Sequence, residues 1–310
     1  MAVSVAKAST LYYVVDNICY AVNTDDNTAM VVTYSTYKDM TEITIPASIT
    51  VEGVAYRVTS LGESCFSGCT SLKSVTIPNS VTSLGESCFS ECWSLESVTI
   101  PSSVTKLGWY CFKGCESLTS ITIPKSVTSL DGTFYGCTGL TSVSIPISVT
   151  SLNATFGYCT SLASVTIPNS VTELGDDCFS GCTSLKEVTC LAETPPSTYY
   201  SFEYAAQKTL YVPEASVEAY KNSSYDWKYF GNILPLSASG IKAVNKGDIG
   251  MSVENGTLTL SNVPSDEPVS VYSTTGQLLG AGKGIISVNA QGAQMVIVKV
   301  GGKSYKMLAR

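Results

Sequence analysis

The sequence predicts a repeat solenoid with a parallel β-sheet along one side and short helical or 3₁₀ turns, followed by a small all-β sandwich domain. Three observations predict this fold class. A unit of about 23 residues recurs from Leu61 to Val188. Each unit holds a short strand of alternating polarity, and a hairpin-rich composition begins near residue 240. Because one unit cannot bury its own apolar side chains, stacked copies must bury them against one another.

The register of the repeat follows from positions that recur every 22 or 23 residues. In the first full unit Val75 and Ile77 alternate with Ser74 and Thr76, which predicts a strand with one buried and one open face. A proline ends each strand, and a phenylalanine marks the next turn. The prolines are Pro78, Pro101, Pro124, Pro146 and Pro168, and the phenylalanines are Phe66, Phe89, Phe112, Phe134, Phe156 and Phe179.

The first unit, which begins at Phe66, reads F-x-x-C-x-x-L-x-x-V-x-I-P, and the later units repeat it almost unchanged. This pattern resembles the BspA-type leucine-rich repeat of bacterial surface proteins, and the resemblance covers residues 43–213. It implies a leucine-rich repeat solenoid in a secreted or cell-surface protein that binds host proteins, glycans or other bacteria. The chain departs from the family pattern where alanine is usual, because it has cysteine at Cys65, Cys88, Cys111 and Cys178.

The solenoid is predicted to span residues 43–190, between two caps. Residues 1–42 form an N-terminal β cap, in which LYYVV, ICYAV and AMVV are strand-like and the polar run 23–27 predicts a turn. An inserted hairpin turns at Glu52-Gly53. Residues 191–236 form the C-terminal cap, with a strand at 210–213, a short helix within 213–222, and Trp227 and Phe230 as bulky sealing residues.

Residues 237–240 are predicted to be a linker, and residues 241–310 a β-sandwich domain. Hairpins are predicted around Asn255-Gly256, Gly276 and Gly301-Gly302. The glycine-rich run 280–284 is interpreted as a loop, because no strand-to-helix context supports a phosphate-binding loop there. The order of these segments resembles the C-terminal sorting domains of secreted Bacteroidetes proteins, which implies an exported protein from such a bacterium.

The composition limits the classes of partner and the location that are expected for the protein. Only 14% of the residues are charged, and the net charge of −7 comes without any Lys/Arg run, so no nucleic-acid partner is expected. The sequence has no run of 18 apolar residues, so no membrane span is predicted. The first ten residues lack the core of a signal peptide, so the protein is either cytoplasmic or exported with its export signal absent from this sequence. The family resemblance favours an extracellular or outer cell-surface location.

Twelve cysteines leave three interpretations open: buried free thiols, some disulfides, or a metal site. Equivalent cysteines of successive turns would lie about 4.8 Å apart, which is wider than the roughly 3.8 Å that the Cβ atoms of a disulfide prefer. Each C-x₃-C pair belongs to its own turn, whereas zinc needs pairs that converge on one point. We therefore expect buried free thiols, no metal and no cofactor.

The sequence contains no histidine, which removes Ser-His and Cys-His nucleophile pairs and histidine general bases. Neighbouring carboxylates such as Asp176 and Asp177 do not converge across a cleft. We therefore expect no enzymatic activity and no catalytic residue.

Two surface features remain as candidate binding sites. The open face of the predicted sheet carries a ladder of threonine and serine from Thr76 to Thr189, which either solubilises the sheet or forms a polar platform. Around the phenylalanine turns the variable positions become aromatic, and Tyr135 and Tyr158 stand on either side of a glycine position. The predicted ligand-binding residues are Trp93, Trp109, Tyr110, Tyr135 and Tyr158.

Successive turns lie about 5 Å apart, so these five residues predict a stripe of about 20 Å along one edge. Exposed Trp and Tyr supply large contact areas for proteins and sugars. The alternative is that some of these rings fold back over the neighbouring turn as packing. The sequence thus predicts a non-enzymatic surface module for an extracellular protein or glycan. A structural spacer, or an accessory module of a surface carbohydrate-utilisation or secretion complex, is the alternative.

Overall fold

The structure is a computed structural model that describes residues 10–205, 209–223 and 226–236 and seven strands between residues 250 and 308. These residues form two compact units. The first contains residues 10–164, 170–186 and 196–205, and the second contains 165–169, 187–195 and the described residues from 209 onwards. The domain bounds predicted from the sequence stay predictions.

The first unit begins with an antiparallel meander of Thr10–Val15, Ile18–Asn23 and Thr28–Val31, which confirms the predicted strands and the turn between Asn23 and Thr28. A 3₁₀ helix at Ser35–Asp39 buries Tyr37, whose hydroxyl accepts a hydrogen bond from the Cys19 N–H at 2.7 Å. Ser48–Val51 and Val54–Leu61 form the predicted antiparallel hairpin. Its two turn residues, Glu52 and Gly53, have φ of 51° and 80°.

The front strands are the short strands before each proline, and they confirm the predicted parallel pairing. Ser74–Thr76 pairs in parallel with Glu42–Thr44 and with Ser97–Thr99, and Ser120–Thr122 pairs with Ser142–Ser144. Further front strands are Ser164–Ile167, Glu187–Cys190 and Thr209–Val212. Thr76, Thr99 and Thr122 are exposed as expected. The prediction for Thr189 was wrong: it is buried, and its cross-strand neighbour is Tyr211 rather than a small polar residue.

A second set of parallel strands, the side strands, was not predicted. Ser83–Leu84 pairs with Lys106–Leu107 and with the end of Val54–Leu61. Glu173–Leu174 pairs with Ser151–Leu152 and with Ser197–Thr198. The repeat between these two groups of side strands has none, because residues 129 and 130, which hold the equivalent position, belong to no strand. Strands of two residues have no alternation long enough to be recognised in a sequence.

The Phe turns come between the side-strand and front-strand segments of each repeat, and they contain the predicted short turns as single i→i+3 hydrogen bonds. In the first of them Ser67 N–H donates to Ser64 O and Cys69 N–H donates to Phe66 O. The phenylalanine rings of successive turns stack, with 5.3 Å between the centroids of Phe66 and Phe89 and 5.8 Å between those of Phe112 and Phe134. Tyr37 extends the stack at one end, 4.9 Å from Phe66.

All twelve cysteines are buried and free, which confirms the first of the three interpretations. The cysteine that follows each phenylalanine bonds to the turn before it. Cys115 Sγ donates to Phe89 O at 3.2 Å, and Cys137 Sγ donates to Phe112 O at 3.1 Å. These carbonyls also accept a backbone N–H within their own turn, for example Cys92 N–H to Phe89 O at 3.3 Å. Each thiol therefore adds a second hydrogen bond, which links one Phe turn to the next.

In the second unit Glu187–Cys190, Thr209–Val212 and Asn232–Pro235 form a parallel sheet. The predicted helix is present as a 3₁₀ turn at Glu214–Ser216 and an α-helix at Val217–Lys221. A 3₁₀ turn at Asp226–Tyr229 follows. Trp227 and Phe230 are buried, and the ring centroids of Trp227 and Tyr220 lie 5.4 Å apart. The predicted sealing role of these bulky residues is confirmed.

The remaining strands form two antiparallel sheets, as the predicted all-β region requires. One contains Gly250–Glu254, Thr257–Ser261 and Ile286–Asn289, and the other contains Leu278–Lys283, Pro268–Ser273, Met295–Val300 and Lys303–Leu308. All three predicted hairpins pair as expected, while their turn residues lie outside the described residues. The loop predicted at 280–284 was wrong, because residues 280–283 continue a strand that is paired with Pro268–Ser273.

Candidate binding edge

Each Phe turn presents four positions beside its buried phenylalanine, which we call the edge positions. They lie three and two residues before the phenylalanine (−3 and −2) and one and two residues after it (+1 and +2). Positions −2 and +2 have positive φ, for example 51° at Ser64 and 68° at Gly68 around Phe66. This conformation, repeated in every turn, directs the chain around the phenylalanine.

Four of the five predicted binding residues occupy edge positions and touch one another. We call them the ring row: Trp109 at −3, Tyr110 at −2, Tyr135 at +1 and Tyr158 at +2. The ring centroids are 5.3 Å apart for Trp109 and Tyr110, 5.9 Å for Tyr110 and Tyr135, and 5.3 Å for Tyr135 and Tyr158. The ring row therefore crosses three consecutive turns without a break.

Trp93 lies apart from the ring row. It stands four residues after Phe89, outside the edge positions, and its side chain is 50% exposed. Among the described residues, no ring contact joins it to the other four aromatic side chains. The structure therefore does not bring Trp93 into the predicted stripe, although it leaves the side chain accessible.

The three tyrosines of the ring row also pack on glycines of the next turn. A Cβ atom on Gly132 would lie 2.9 Å from the Tyr110 ring, one on Gly157 would lie 2.8 Å from the Tyr135 ring, and one on Gly181 would lie 2.7 Å from the Tyr158 ring. Each glycine holds the same edge position as the tyrosine one turn earlier. The packing role that the sequence left open is therefore present together with exposure, since Tyr158 remains 44% exposed.

Tyr158 does not stand beside the glycine position, as the sequence suggested, but occupies it. Its φ is 59°, while Gly136 and Gly181 have φ of 70° and 69° at the same edge position. Positive φ is uncommon for a bulky residue because its Cβ approaches the backbone. The same conformation occurs at this position in every Phe turn, with φ of 59° at Glu91 and 56° at Tyr204, so it is a property of the repeat and not a mark of function at Tyr158.

Three exposed tyrosines were missed by sequence reasoning. Tyr199, Tyr200 and Tyr204 hold edge positions −3, −2 and +2 around Phe202, and all are more than half exposed. The ring centroids of Tyr199 and Tyr200 lie 4.6 Å apart at 74°, which repeats the arrangement of Trp109 and Tyr110. The signal was available, because Phe202 follows Phe179 by the 23-residue period.

A groove of about 400 Å³ lies along the turns between Trp109 and Tyr199. At edge position −3 these turns carry Asp131, Asn153 and Asp176. The residues that line the groove include Asp131, Ser151, Asn153, Glu173, Gly175 and Asp176. It is thus a polar groove, and the turn beyond each of its ends carries an aromatic pair at edge positions −3 and −2.

The groove lies where two repeats are one residue shorter. In the longer repeats a glycine precedes position −3, and these glycines pack tightly, since a Cβ on Gly108 would lie 2.4 Å from the Gly85 carbonyl carbon. The repeats that contain Asp131 and Asn153 lack this glycine. The Asn153 side chain packs against Gly175 instead, since a Cβ atom on Gly175 would lie 2.6 Å from Asn153 Oδ1.

Titration behaviour supports a binding surface rather than a reactive one. Burial raises the pKa of Cys69 to about 11 and the pKa values of Cys137 and Cys182 to about 12, so these thiols stay protonated and are poor nucleophiles at neutral pH. Partial burial, followed by the neighbouring Tyr158 and Asp177, raises the pKa of Tyr135. Lys113 Nζ lies over the Tyr110 ring, 5.0 Å from its centroid.

Neither a metal centre nor a membrane span is found in the described part of the chain. Its Cys, Asp and Glu side chains form no group of three or more that could hold a metal ion. None of its helices combines the length and the apolar character that crossing a membrane requires.

Comparison with known proteins identifies one family. The family model "BspA type Leucine rich repeat region (6 copies)" matches residues 32–155 and 152–237. No curated protein sequence matches the chain significantly. Among solved structures, a leucine-rich repeat protein of T. pallidum is 27% identical, with 56% of this chain and 82% of that chain covered and a TM-score of 0.49. A leucine-rich cell surface protein of Faecalibacterium prausnitzii is 26% identical, with 74% of each chain covered and the same TM-score.

Proposed function

The chain belongs to the BspA-type leucine-rich repeat family, and from this premise we propose that it is a secreted or cell-surface binding module for an extracellular protein or glycan. The observation that carries the proposal is the ring row. Trp109 and Tyr158 are 36% and 44% exposed, although a soluble protein would gain stability by burying such rings. Exposed Trp and Tyr are enriched where proteins bind their partners, because they supply contact area at low entropic cost.

The fixed spacing of the rings supports the same function. Edge positions are set by the backbone of the Phe turns, in which Phe112 N–H donates to Thr133 O and Gly136 N–H donates to Gly157 O. A partner therefore meets rings that are already oriented, and binding costs less conformational entropy.

A binding role without catalysis agrees with the chemistry of the chain. There is no histidine, and the raised pKa values keep the thiols of Cys69, Cys137 and Cys182 protonated at neutral pH. Proteins of the leucine-rich repeat class are in general binding scaffolds rather than enzymes.

The test is capture of purified extracellular proteins and of glycans by the immobilised chain. The double variant Trp93→Ala with Trp109→Ala tests the two exposed tryptophans, and Tyr135→Ala with Tyr158→Ala tests the ring row alone. We expect the second variant, and Trp109→Ala by itself, to reduce retention at least about tenfold, as binding hot spots do. Tyr12→Ala removes a ring that is 68% exposed on the first strand and serves as the control.

Two outcomes would contradict the proposal. If the intact chain retains no extracellular protein or glycan, a structural spacer is favoured instead. Unchanged retention with a large drop in melting temperature in the ring-row variant would assign these rings to the fold alone.

For the C-terminal strands we propose a sorting domain at residues 241–310, as in secreted Bacteroidetes proteins, joined through a linker at 237–240. Its support is the order of the hairpins in the sequence, and the proposal implies an outer-surface location. In a Bacteroidetes host, a carrier protein fused to residues 241–310 and supplied with an export signal should reach the cell surface, and the same carrier without them should not. Equal surface amounts of the two would contradict the sorting role.

A further inference from the structure

We infer that the groove between Trp109 and Tyr199 binds an extended, basic segment of a protein partner. This inference rests on the proposed function and names the class of its partner. It is argued from the aromatic pairs that flank the groove, from the charge of its lining and from the distance between the pairs, which all belong to the first unit of the chain.

Aromatic pairs flank the groove, one on the turn beyond each of its ends. At one end the Trp109 and Tyr110 rings lie on Gly132, since a Cβ there would be 3.2 Å from Trp109 Cε2 and 2.9 Å from the Tyr110 ring. At the other end Ser201 Oγ donates to Leu174 O at 2.9 Å and to Gly175 O at 3.0 Å. These bonds fix the turn that carries Tyr199 and Tyr200 beside groove residue Gly175.

The lining of the groove carries negative charge only. Asp131, Glu173 and Asp176 contribute three carboxylates, and no Lys or Arg lines it. Asp131 accepts a hydrogen bond from Ser129 Oγ at 2.8 Å, but no ion pair among the described residues neutralises any of the three. Complementarity of charge therefore favours a partner that brings cations.

The flanking aromatic pairs suit the same partner. A lysine or arginine is attracted to the face of an aromatic ring. Lys113 Nζ already lies over the Tyr110 ring, 5.0 Å from its centroid, so the exposed rings of Trp109, Tyr199 and Tyr200 are the ones offered to the cations of a partner. Carboxylates between the two ring pairs would bind the cationic heads of further side chains. A single chemistry thus explains both the rings and the charges.

The distance from one flanking aromatic pair to the other, across the groove, fits a short peptide. Trp109 and Tyr199 are four turns apart, and one turn separates stacked phenylalanines by 5.3 to 5.8 Å along this stretch. The two pairs are therefore about 20 Å apart, which an extended chain spans with about six residues at roughly 3.3 Å each. Alternate side chains of such a segment face the groove.

The experiment measures fluorescence polarisation of labelled hexapeptides with the full chain. The probes are (Arg-Ser)₃, (Gln-Ser)₃ and (Glu-Ser)₃, and labelled chitohexaose and maltohexaose are the glycan arms. We expect (Arg-Ser)₃ to bind at least about tenfold more tightly than the neutral and acidic peptides. We also expect its affinity to fall as salt rises from 50 to 500 mM. Added salt shortens the distance over which exposed charges attract one another, which is about 10 Å at 0.1 M.

Variants locate the site. Asp131→Asn with Asp176→Asn should weaken (Arg-Ser)₃ binding at least about fivefold and flatten its salt dependence. Tyr199→Ala with Tyr200→Ala should weaken it by a similar factor. The matched controls, Asp25→Asn with Asp39→Asn and Tyr12→Ala, change exposed residues outside the groove and should leave binding unchanged.

The outcomes separate this inference from the proposed function. If the chain retains extracellular proteins or glycans but does not prefer the basic peptide, the inference is wrong and the proposed function stands. Binding of a hexasaccharide that depends on Tyr199 and Tyr200, without peptide binding, would also overturn the basic segment as the occupant. Equal loss of peptide binding in the groove variants and the controls would show that the charge of the whole chain, and not the groove, attracts the peptide.

Discussion

The inner and outer sides of the same Phe turns pack their aromatic rings in different ways. On the inner side the phenylalanines stack with their planes within 15° of parallel from Phe66 to Phe202. On the outer side the rings of the ring row meet at 57° to 82°, because each occupies a different edge position. Close packing forces the inner residue to be the same in every turn, whereas the outer positions are free to differ and to carry function.

The largest expected effect comes from breaking the inner side. Phe112→Ala should lower the free energy of unfolding by about 3 to 5 kcal/mol, because a cavity would open between two stacked rings. Urea denaturation measures the loss. Trp109→Ala, three residues earlier on the outer side, is the comparison and should cost about 1 kcal/mol or less. Similar losses for both would mean that the two sides are equally important for packing.

A smaller effect tests the contact that joins an outer ring to the next turn. Gly68→Ala and Gly181→Ala change glycines with nearly equal φ at the same edge position. A Cβ on Gly68 would meet nothing within 4 Å, while one on Gly181 would meet the Tyr158 ring. Gly68→Ala should cost about 1 kcal/mol from backbone strain alone, and Gly181→Ala about 1 kcal/mol more.

The matched measurement is a double-mutant cycle. In a Tyr158→Ala background the additional cost of Gly181→Ala should disappear, because no ring then has to move. Thermal melts of the four proteins provide the cycle. An additional cost that persists without the Tyr158 ring would show that the strain arises elsewhere in the turn.

The buried thiols give the inner side a pH dependence. Burial raises the pKa of Cys137 from 9.0 to about 12, so between these values the unfolded chain loses a proton that the folded chain keeps. The contribution of Cys137 to stability is therefore constant below about pH 8 and falls as pH rises through the window from 9 to 12. Melting temperatures from pH 7 to 10.5 with a reductant measure this, and Cys137→Ala should flatten the slope. Identical slopes for both proteins would remove Cys137 as a cause.

The smallest expected effect lies on the outer side. Tyr204 has φ of 56° and is 75% exposed, so Tyr204→Gly should relieve backbone strain and raise stability by up to about 1 kcal/mol. Tyr158→Gly should gain less, because the contacts of Tyr158 with Gly181 and Tyr135 are lost. Calorimetric melting of the two variants compares them. A loss of stability in Tyr204→Gly would indicate that the exposed ring has a packing role.

The sequence by itself determined the repeat, its register and most of its elements. Prolines and phenylalanines at a period of 22 or 23 residues predicted the front strands and the stacked turns, because identical units bury identical side chains only when they are stacked. It also indicated the capping hairpins and the buried Trp227 and Phe230, since turn residues and bulky apolar residues have strong local signals. The side strands were not predicted, because a strand of two residues shows no alternation of polar and apolar side chains.

Only the tertiary structure decided which exposed residues lie together. Trp93 and Trp109 look alike in the sequence, but the path of the Phe turn joins Trp109 to Tyr110, Tyr135 and Tyr158 and leaves Trp93 alone. Tyr199 and Trp109 are ninety residues apart, yet they share one edge position on the turns beyond the two ends of a groove. Contacts of this kind depend on where successive turns place their side chains, and small insertions or deletions in a turn, such as the glycine missing before Asp131 and Asn153, change them without disturbing the repeat.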